Sequence, residues 1–321
     1  MLSFHAVADE RLAPLDPSTE AAKDAVWIDL LNPTKEEEER VEAILGVGIP
    51  TLEEMAEIEV SSRLYSENDA LYMTATLLVG GQGPMPTSAP VTFILTGRQL
   101  ATVRYAEPGV FRTFVEQARK GDSNLRDADS VFIALLEAII DRTADILERV
   151  GADLDAISGK VFEEDVKGSS AARNYRALLS RLGRSGNLNS KVRESLVSIG
   201  RLVNFLTAEC GDMHADLRER THTMSADIRS LADHATYFSS TTQFLLDALT
   251  GLINIEQNDI IRIVSVVSVL IMPPTLIASI YGMNFDFMPE LSWRLGYPLA
   301  LAAMVGAAIL PYWYFKRRGW L

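Results

Sequence analysis

The sequence predicts an α+β amino-terminal domain, then a long helical stalk, then two transmembrane helices at the C-terminal end. Three observations predict it. β-rich runs are confined to the front of the chain, up to Tyr105. No proline occurs between Pro108 and Pro273, so nothing there forbids long helices. Two uncharged apolar runs, 263–285 and 295–315, close the chain.

Taken in order, β-rich runs fall at 26–31, 71–79, 91–96 and 100–105, and Gly97-Arg98-Gln99 between the last two is a hairpin turn. Asn32-Pro33-Thr34 opens an acidic helical stretch to Leu45, and Thr51 with Glu54 has capping-box spacing. From about 127 strand signals vanish. Helical stretches follow at about 127–164, 170–209 and from 212 onward, with Gly151, Gly159, Gly168 and Gly211 as candidate breaks and Gly211 the best boundary. If the third is helical over 212–280, its length is about 100 Å at 1.5 Å per residue. Such a rod needs neighbours on its apolar side, which favours identical stalks bundled about an axis; a break near Gly251 would give shorter helices instead. The chain then divides into an α/β domain (1–126), long helices (127–211), a stalk (212–262), a first span (263–285), an external loop (286–294), a second span (295–315) and a basic tail (316–321).

Composition sets the environments. The 321 residues carry 30 Lys+Arg against 43 Asp+Glu, a net charge of −13, which argues against nucleic acid as a partner. The single cysteine, Cys210, excludes an internal disulfide framework and reads as a quiet buried thiol. Residues 260–321 are net +3 and residues 1–259 net −16, so an acidic body joins a slightly basic tail. Both uncharged runs exceed the roughly 20 residues that cross a bilayer core. Tyr312-Trp313-Tyr314-Phe315 followed by Lys316-Arg317-Arg318 reads as an interfacial belt and a cytoplasmic anchor. No charged segment followed by an apolar run opens the sequence, so both ends are expected on the cytoplasmic side.

The residues that carry chemistry lie at the end of the stalk and along the first span. Asn258, Ile261, Ser265, Ser268, Met272, Thr275 and Ser279 recur at helical steps of three and four and share one face, while the other faces are mostly Val, Leu and Ile. Two readings fit. Small hydroxyl residues let membrane helices pack closely. Alternatively, several copies around an axis would turn these oxygens toward water, with Met272 as a constriction. The stripe leads into Tyr281-Gly282-Met283-Asn284-Phe285, where Gly282 permits a turn and Asn284 offers a neutral carbonyl oxygen. No Asp, Glu, His or Cys lies on this face, which disfavours tight Zn2+ capture.

The run YGMNF, then Met288-Pro289-Glu290-Leu291, a second span and a basic terminus, resembles the CorA family of magnesium and cobalt transporters. The match is dense from about 251 to 321, and the upstream order of elements fits along the rest of the chain. Met272-Pro273-Pro274-Thr275-Leu276-Ile277-Ala278 and the Tyr314-Phe315-Lys316-Arg317-Arg318 ending resemble the proteobacterial type. The resemblance implies a homopentameric funnel in the bacterial inner membrane that admits Mg2+, and Co2+ or Ni2+, with no organic cofactor. Carried over, Gly282, Met283 and Asn284 form the outer selectivity ring, Met272 and Thr275 line the pore, and Asn258 sits at an inner polar ring. It also implies closure by cytoplasmic Mg2+ held between subunits by carboxylates; the candidates on the stalk are Asp216, Asp227 and Asp233, without a motif that aligns one of them with the family's regulatory aspartate.

Other features have two readings each. Glu290 attracts cations at the outer loop, or it caps or pairs with Arg294; Pro273-Pro274 is a gating hinge or a stabilised kink; Lys316–Arg318 is a collar at the inner mouth or a lipid anchor. His5, His214, His222 and His234 are scattered outside the spans and read as surface residues. No phosphate loop and no nucleophile–base pair is recognisable, so an enzyme is not expected. The rivals are a Zn2+ transporter of the same superfamily, against which intact GMN leans, and a non-conducting membrane-anchored scaffold or sensor.

Overall fold

A computed structural model describes residues 1–16, 20–80, 86–121, 124–162, 171–209, 214–283 and 288–320. It divides into two compact units, Met1–Leu246 and Asp247–Leu321. In the first, seven strands form one sheet: β1 Leu2–Ala8, β2 Arg11–Leu15, β3 Trp27–Leu31, β4 Leu64–Glu67, β5 Ala70–Val79, β6 Thr87–Leu95 and β7 Leu100–Arg104. Their order is β2-β1-β3-β7-β6-β5-β4, antiparallel except for β3 against β7. The sequence reading placed β3, β5, β6 and β7 and missed the other three. β1–β2 and β4–β5 close through two-residue turns at Asp9-Glu10 and Asn68-Asp69, all four residues at positive φ, which suits the twist of a hairpin.

Helices cover both faces. α1 (Lys35–Leu45) and α2 (Leu52–Ala56) start at full capping boxes, Thr34 with Glu37 and Thr51 with Glu54. They lie on the face of Ile28, Leu30, Ala101 and Val103, and the four-residue α3 (Val60–Arg63) leads into β4. The opposite face, with Trp27, Met73, Phe93 and Leu100, packs on α4 (Gly109–Ala118) and α5 (Ala128–Phe162). α6 (Ala171–Glu209) runs beside β5, where the Ser198 hydroxyl accepts from the Thr76 backbone N–H at 2.9 Å and so satisfies a donor beyond the reach of β4.

α7 (Ala215–Tyr281) is one helix of 67 residues, continuous through Gly251, so the alternative of shorter helices does not hold. Gly151 and Gly159 are not breaks either; both lie inside α5. Gly151 is a notch. A Cβ there would come within 2.7 Å of the Phe238 ring of α7, and Cβ atoms at Gly186 and Gly200 of α6 would meet Thr242 and Ile228 at 3.1 and 3.2 Å. These glycines buy close packing of α7 on its two neighbours. Buried Asn189 of α6 adds hydrogen bonds to the Ala235 carbonyl (2.8 Å) and the Ser239 hydroxyl (2.9 Å). Gly168, Cys210 and Gly211 lie outside the described residues. The last helix, α8, covers Gly296–Arg317.

One histidine is not at the surface. His5 is 4% exposed, stacks on Trp27 with ring centroids 4.9 Å apart, and its Nδ1 has no hydrogen-bond partner. Burial holds its imidazole below the ordinary 6.5; Asp29 opposes that shift and Arg119 reinforces it. The unfolded chain therefore takes up a proton that the folded chain refuses. Stability conferred by neutral His5 is present above about pH 6.5 and is lost as pH falls from there through the lower folded value. Thermal unfolding of the full chain between pH 5 and 8 should show this acid slope, and His5→Phe, which keeps a ring on Trp27, should flatten it.

Candidate functional site

α7 carries all seven stripe residues on one uninterrupted helix, so the steps of three and four do bring them to a single face. Each is exposed in the single chain, Met272 at 68%. Val266, on the opposite flank, is buried to 2%. The last charges before the span, Asp259 and Arg262, neutralise each other at 2.8 Å. By length and composition α7 and α8 can each cross a membrane, and only 6% of either apolar window is buried.

The hydroxyls on the face have a defined polarity. Ser265 donates to the Ile261 carbonyl at 2.8 Å, Ser268 to Val264 at 2.8 Å, and Thr275 to Ile271 at 3.0 Å and Met272 at 2.8 Å. With the proton of each group committed to the backbone, what remains facing outward is oxygen lone pairs. Ser265, Ser268 and Thr275 are therefore acceptors toward any further partner, suited to a species that presents O–H donors. Pro273 and Pro274 lie inside the helix and remove the N–H groups that would bond the Val269 and Leu270 carbonyls; the helix continues through them. At the outer end the Gly282 N–H donates to the Ala278 carbonyl at 2.9 Å. A Cβ on Gly282 would stand 3.1 Å from that same oxygen, a tight contact with the last turn of α7. Met283 follows as an exposed residue, Asn284 lies outside the described residues, and Glu290 falls in the short 3-10 turn Pro289–Ser292.

The three stalk aspartates do not converge within one chain. Asp216 pairs with Arg126 at 3.5 Å, while Asp227 and Asp233 are exposed at other positions along α7. Instead Asp227 faces a group that the sequence reading missed. Glu137, Asp141 and Asp145 recur every four residues on α5 and line a cavity of about 340 Å³ with Arg142 and Arg220. Burial first, then Glu137, Asp145 and Asp227, push the Asp141 carboxyl above its ordinary value, while Arg220 grips Glu137 with two nitrogens, Nε at 2.8 Å. The four-residue spacing of those acids was the available signal.

The family described as "CorA-like Mg2+ transporter protein" matches residues 22–317. The chain belongs to that family. Among its CorA relatives, the magnesium transport protein CorA of Pasteurella multocida is 37% identical over 322 residues, covering all of both chains. The protein of the same name from Yersinia pestis is 38% identical over 323 residues, again with full coverage of both. The complete structure of the CorA magnesium transporter from Methanocaldococcus jannaschii shares the fold, with a TM-score of 0.76 at 19% identity over 100% of this chain and 98% of that one. The CorA match thus takes in the α/β sheet and the long helices as well as the dense carboxyl-terminal motif. It also fixes the architecture: an α+β unit, a long helix and two C-terminal apolar helices that span the membrane, with the amino-terminal unit cytoplasmic.

Proposed function

We propose that the chain mediates Mg2+ influx as a homopentamer whose α7 stripes ring one axis. The observation that carries this is the row of outward acceptors on α7, together with membership in a family described as Mg2+ transporters and relatives named magnesium transport protein. Mg2+ dehydrates reluctantly and keeps its octahedral waters. Those waters present O–H donors, which a ring of hydroxyl oxygens accepts without stripping the ion. Asn258, Ile261, Ser265, Ser268, Met272, Thr275 and Ser279 line the corridor in this reading, Met272 narrows it, and Gly282, Met283 and Asn284 shape its outer mouth. A divalent ion entering an inside-negative compartment gains about 4.6 kcal/mol per 100 mV, twice the single-charge value, so passive influx needs no fuel. No covalent chemistry and no organic cofactor enter this account.

Two observations support assembly. Tyr237 and Phe244 of α7 are 63% and 58% exposed, apolar surface that a second copy of the stalk would cover. The stripe itself encloses nothing in a single chain. Feedback by cytoplasmic Mg2+ is proposed at Asp216, Asp227 and Asp233, and their spread along α7 requires carboxylates from a neighbouring copy. Purified protein in liposomes, loaded with a Mg2+ indicator under an imposed inside-negative potential, should show Mg2+ influx that Co2+ or Ni2+ competes with. A sealed membrane under those conditions would favour the scaffold reading, and preferential Zn2+ flux would favour the zinc rival.

A further inference from the structure

Four consecutive rings, Tyr312, Trp313, Tyr314 and Phe315, lie just before the end of α8 at Arg317. Each takes a partner from the residues that follow. Lys316 Nζ lies 5.9 Å from the Tyr312 centroid, Arg317 Cζ 5.5 Å from Trp313, and Arg318 Cζ 5.4 Å from Tyr314. Phe315 stacks on Trp320 at 5.4 Å and 16°. The backbone brings Trp320 there: Gly319 turns at φ +72°, its N–H donates to the Lys316 carbonyl (3.3 Å), and the Trp320 N–H donates to the Phe315 carbonyl (3.0 Å). That pair of bonds is a Schellman termination, and the Trp320–Phe315 stack is its usual apolar contact. The helix end is thereby closed against fraying.

This arrangement fixes where the charges stand. Successive helical residues step 100° around and 1.5 Å along the axis, so the three cations spread over about 200° of circumference within about 3 Å of depth. The nearest acidic residue in the sequence is Glu290, and among the described residues no carboxylate pairs with Lys316, Arg317 or Arg318. A ring takes one face of each cation and leaves its N–H groups at the edge as donors. A guanidinium fork with free edges matches phosphate bidentately. Exposed Tyr and Trp rings at the end of a span belong at headgroup depth.

We propose that this terminal turn is a clamp for the phosphate of anionic phospholipids. It holds three cations at one depth, each seated on an aromatic ring and none paired with a carboxylate among the described residues. The inference rests on the reading of α8 as a membrane span. The test uses the full-length protein in detergent with equal amounts of phosphatidylglycerol and phosphatidylcholine, and native mass spectrometry to count retained lipid. The wild type should retain the anionic lipid, and K316Q/R317Q/R318Q should lower that retention roughly a hundredfold, three basic residues' worth of attraction. The ring variant Y312L/W313L/Y314L, which keeps every charge, should weaken it less, K316R should preserve it, and R317K/R318K, which keeps the charge but loses both forks, should fall between the wild type and the triple Gln variant. Equal retention of both lipids, an unchanged preference in the triple Gln variant, or displacement of the lipid by millimolar inorganic phosphate would overturn the clamp. Carbonate washing separates the two claims. Release of the wild type from membranes would overturn the span itself, whereas loss of lipid preference in a protein that stays embedded counts for the clamp alone.

Discussion

Asn284→Ala should reduce Mg2+ influx by at least about a hundredfold while the protein still assembles. In the proposed pore the side-chain amide of each copy accepts a hydrogen bond from a water of the incoming ion. A hydrogen bond contributes about 1 kcal/mol net, and loss of three from a ring of five accounts for about a hundredfold. Alanine removes all of them and leaves dry surface at the mouth. Asn284→Asp should fail differently: a ring of carboxylates holds Mg2+ tightly and slows its release, so binding rises as throughput falls. Flux in liposomes together with native mass of the assembly separates a blocked mouth from a failed oligomer. Normal uptake by Asn284→Ala would remove the outer-ring role.

Asp29→Ala should destabilise the amino-terminal unit by about 3–5 kcal/mol, the cost of leaving one partner of a buried ion pair alone. Asp29 and Arg104 are both buried; Nε and Nη2 of the guanidinium bond the two carboxylate oxygens at 2.9 and 2.7 Å. Thr102 donates to the same carboxylate at 2.7 Å, Trp27 Nε1 donates to Thr102 at 3.1 Å, and the guanidinium lies 4.5 Å from the Phe111 centroid. The parallel pairing of β3 and β7 places all of these on the face covered by α4. Removing the carboxylate leaves a cation in that layer with no counter-ion, and domains have only about 5–15 kcal/mol to lose. Thermal unfolding of the full chain should show the loss. The double substitution Asp29→Leu with Arg104→Met should recover most of it, since an apolar pair of similar volume carries no stranded charge. A single variant as stable as the wild type would show that the pair contributes nothing.

What the sequence made legible was local or periodic. The Thr51–Glu54 capping box closes within four residues, the first helix opens at Thr34, and the α7 stripe repeats at helical spacing, so all three could be read directly. The missed strands lack such signals. β1 and β2 turn through Asp9-Glu10, where Glu at positive φ has no sequence signature, whereas Asn68-Asp69 between β4 and β5 was a readable turn. Gly151 looked like a helix break because the Phe238 ring that fills its notch is 87 residues away. The Asp29–Arg104 pair is equally invisible before the sheet brings β3 to β7. Glu137, Asp141 and Asp145 are periodic on α5, but their cavity forms only once α7 brings Arg220 beside them.

Substituted-cysteine accessibility tests the central claim most directly. With the one native thiol removed (Cys210→Ser), Ser268→Cys and Thr275→Cys lie on the stripe and Leu270→Cys lies about 160° from it, at 100° per residue. A charged, water-soluble thiol reagent should arrest Mg2+ flux through the two stripe variants and leave Leu270→Cys conducting. Flux that survives modification at 268 and 275 but stops at 270 would turn the stripe toward lipid and contradict the account.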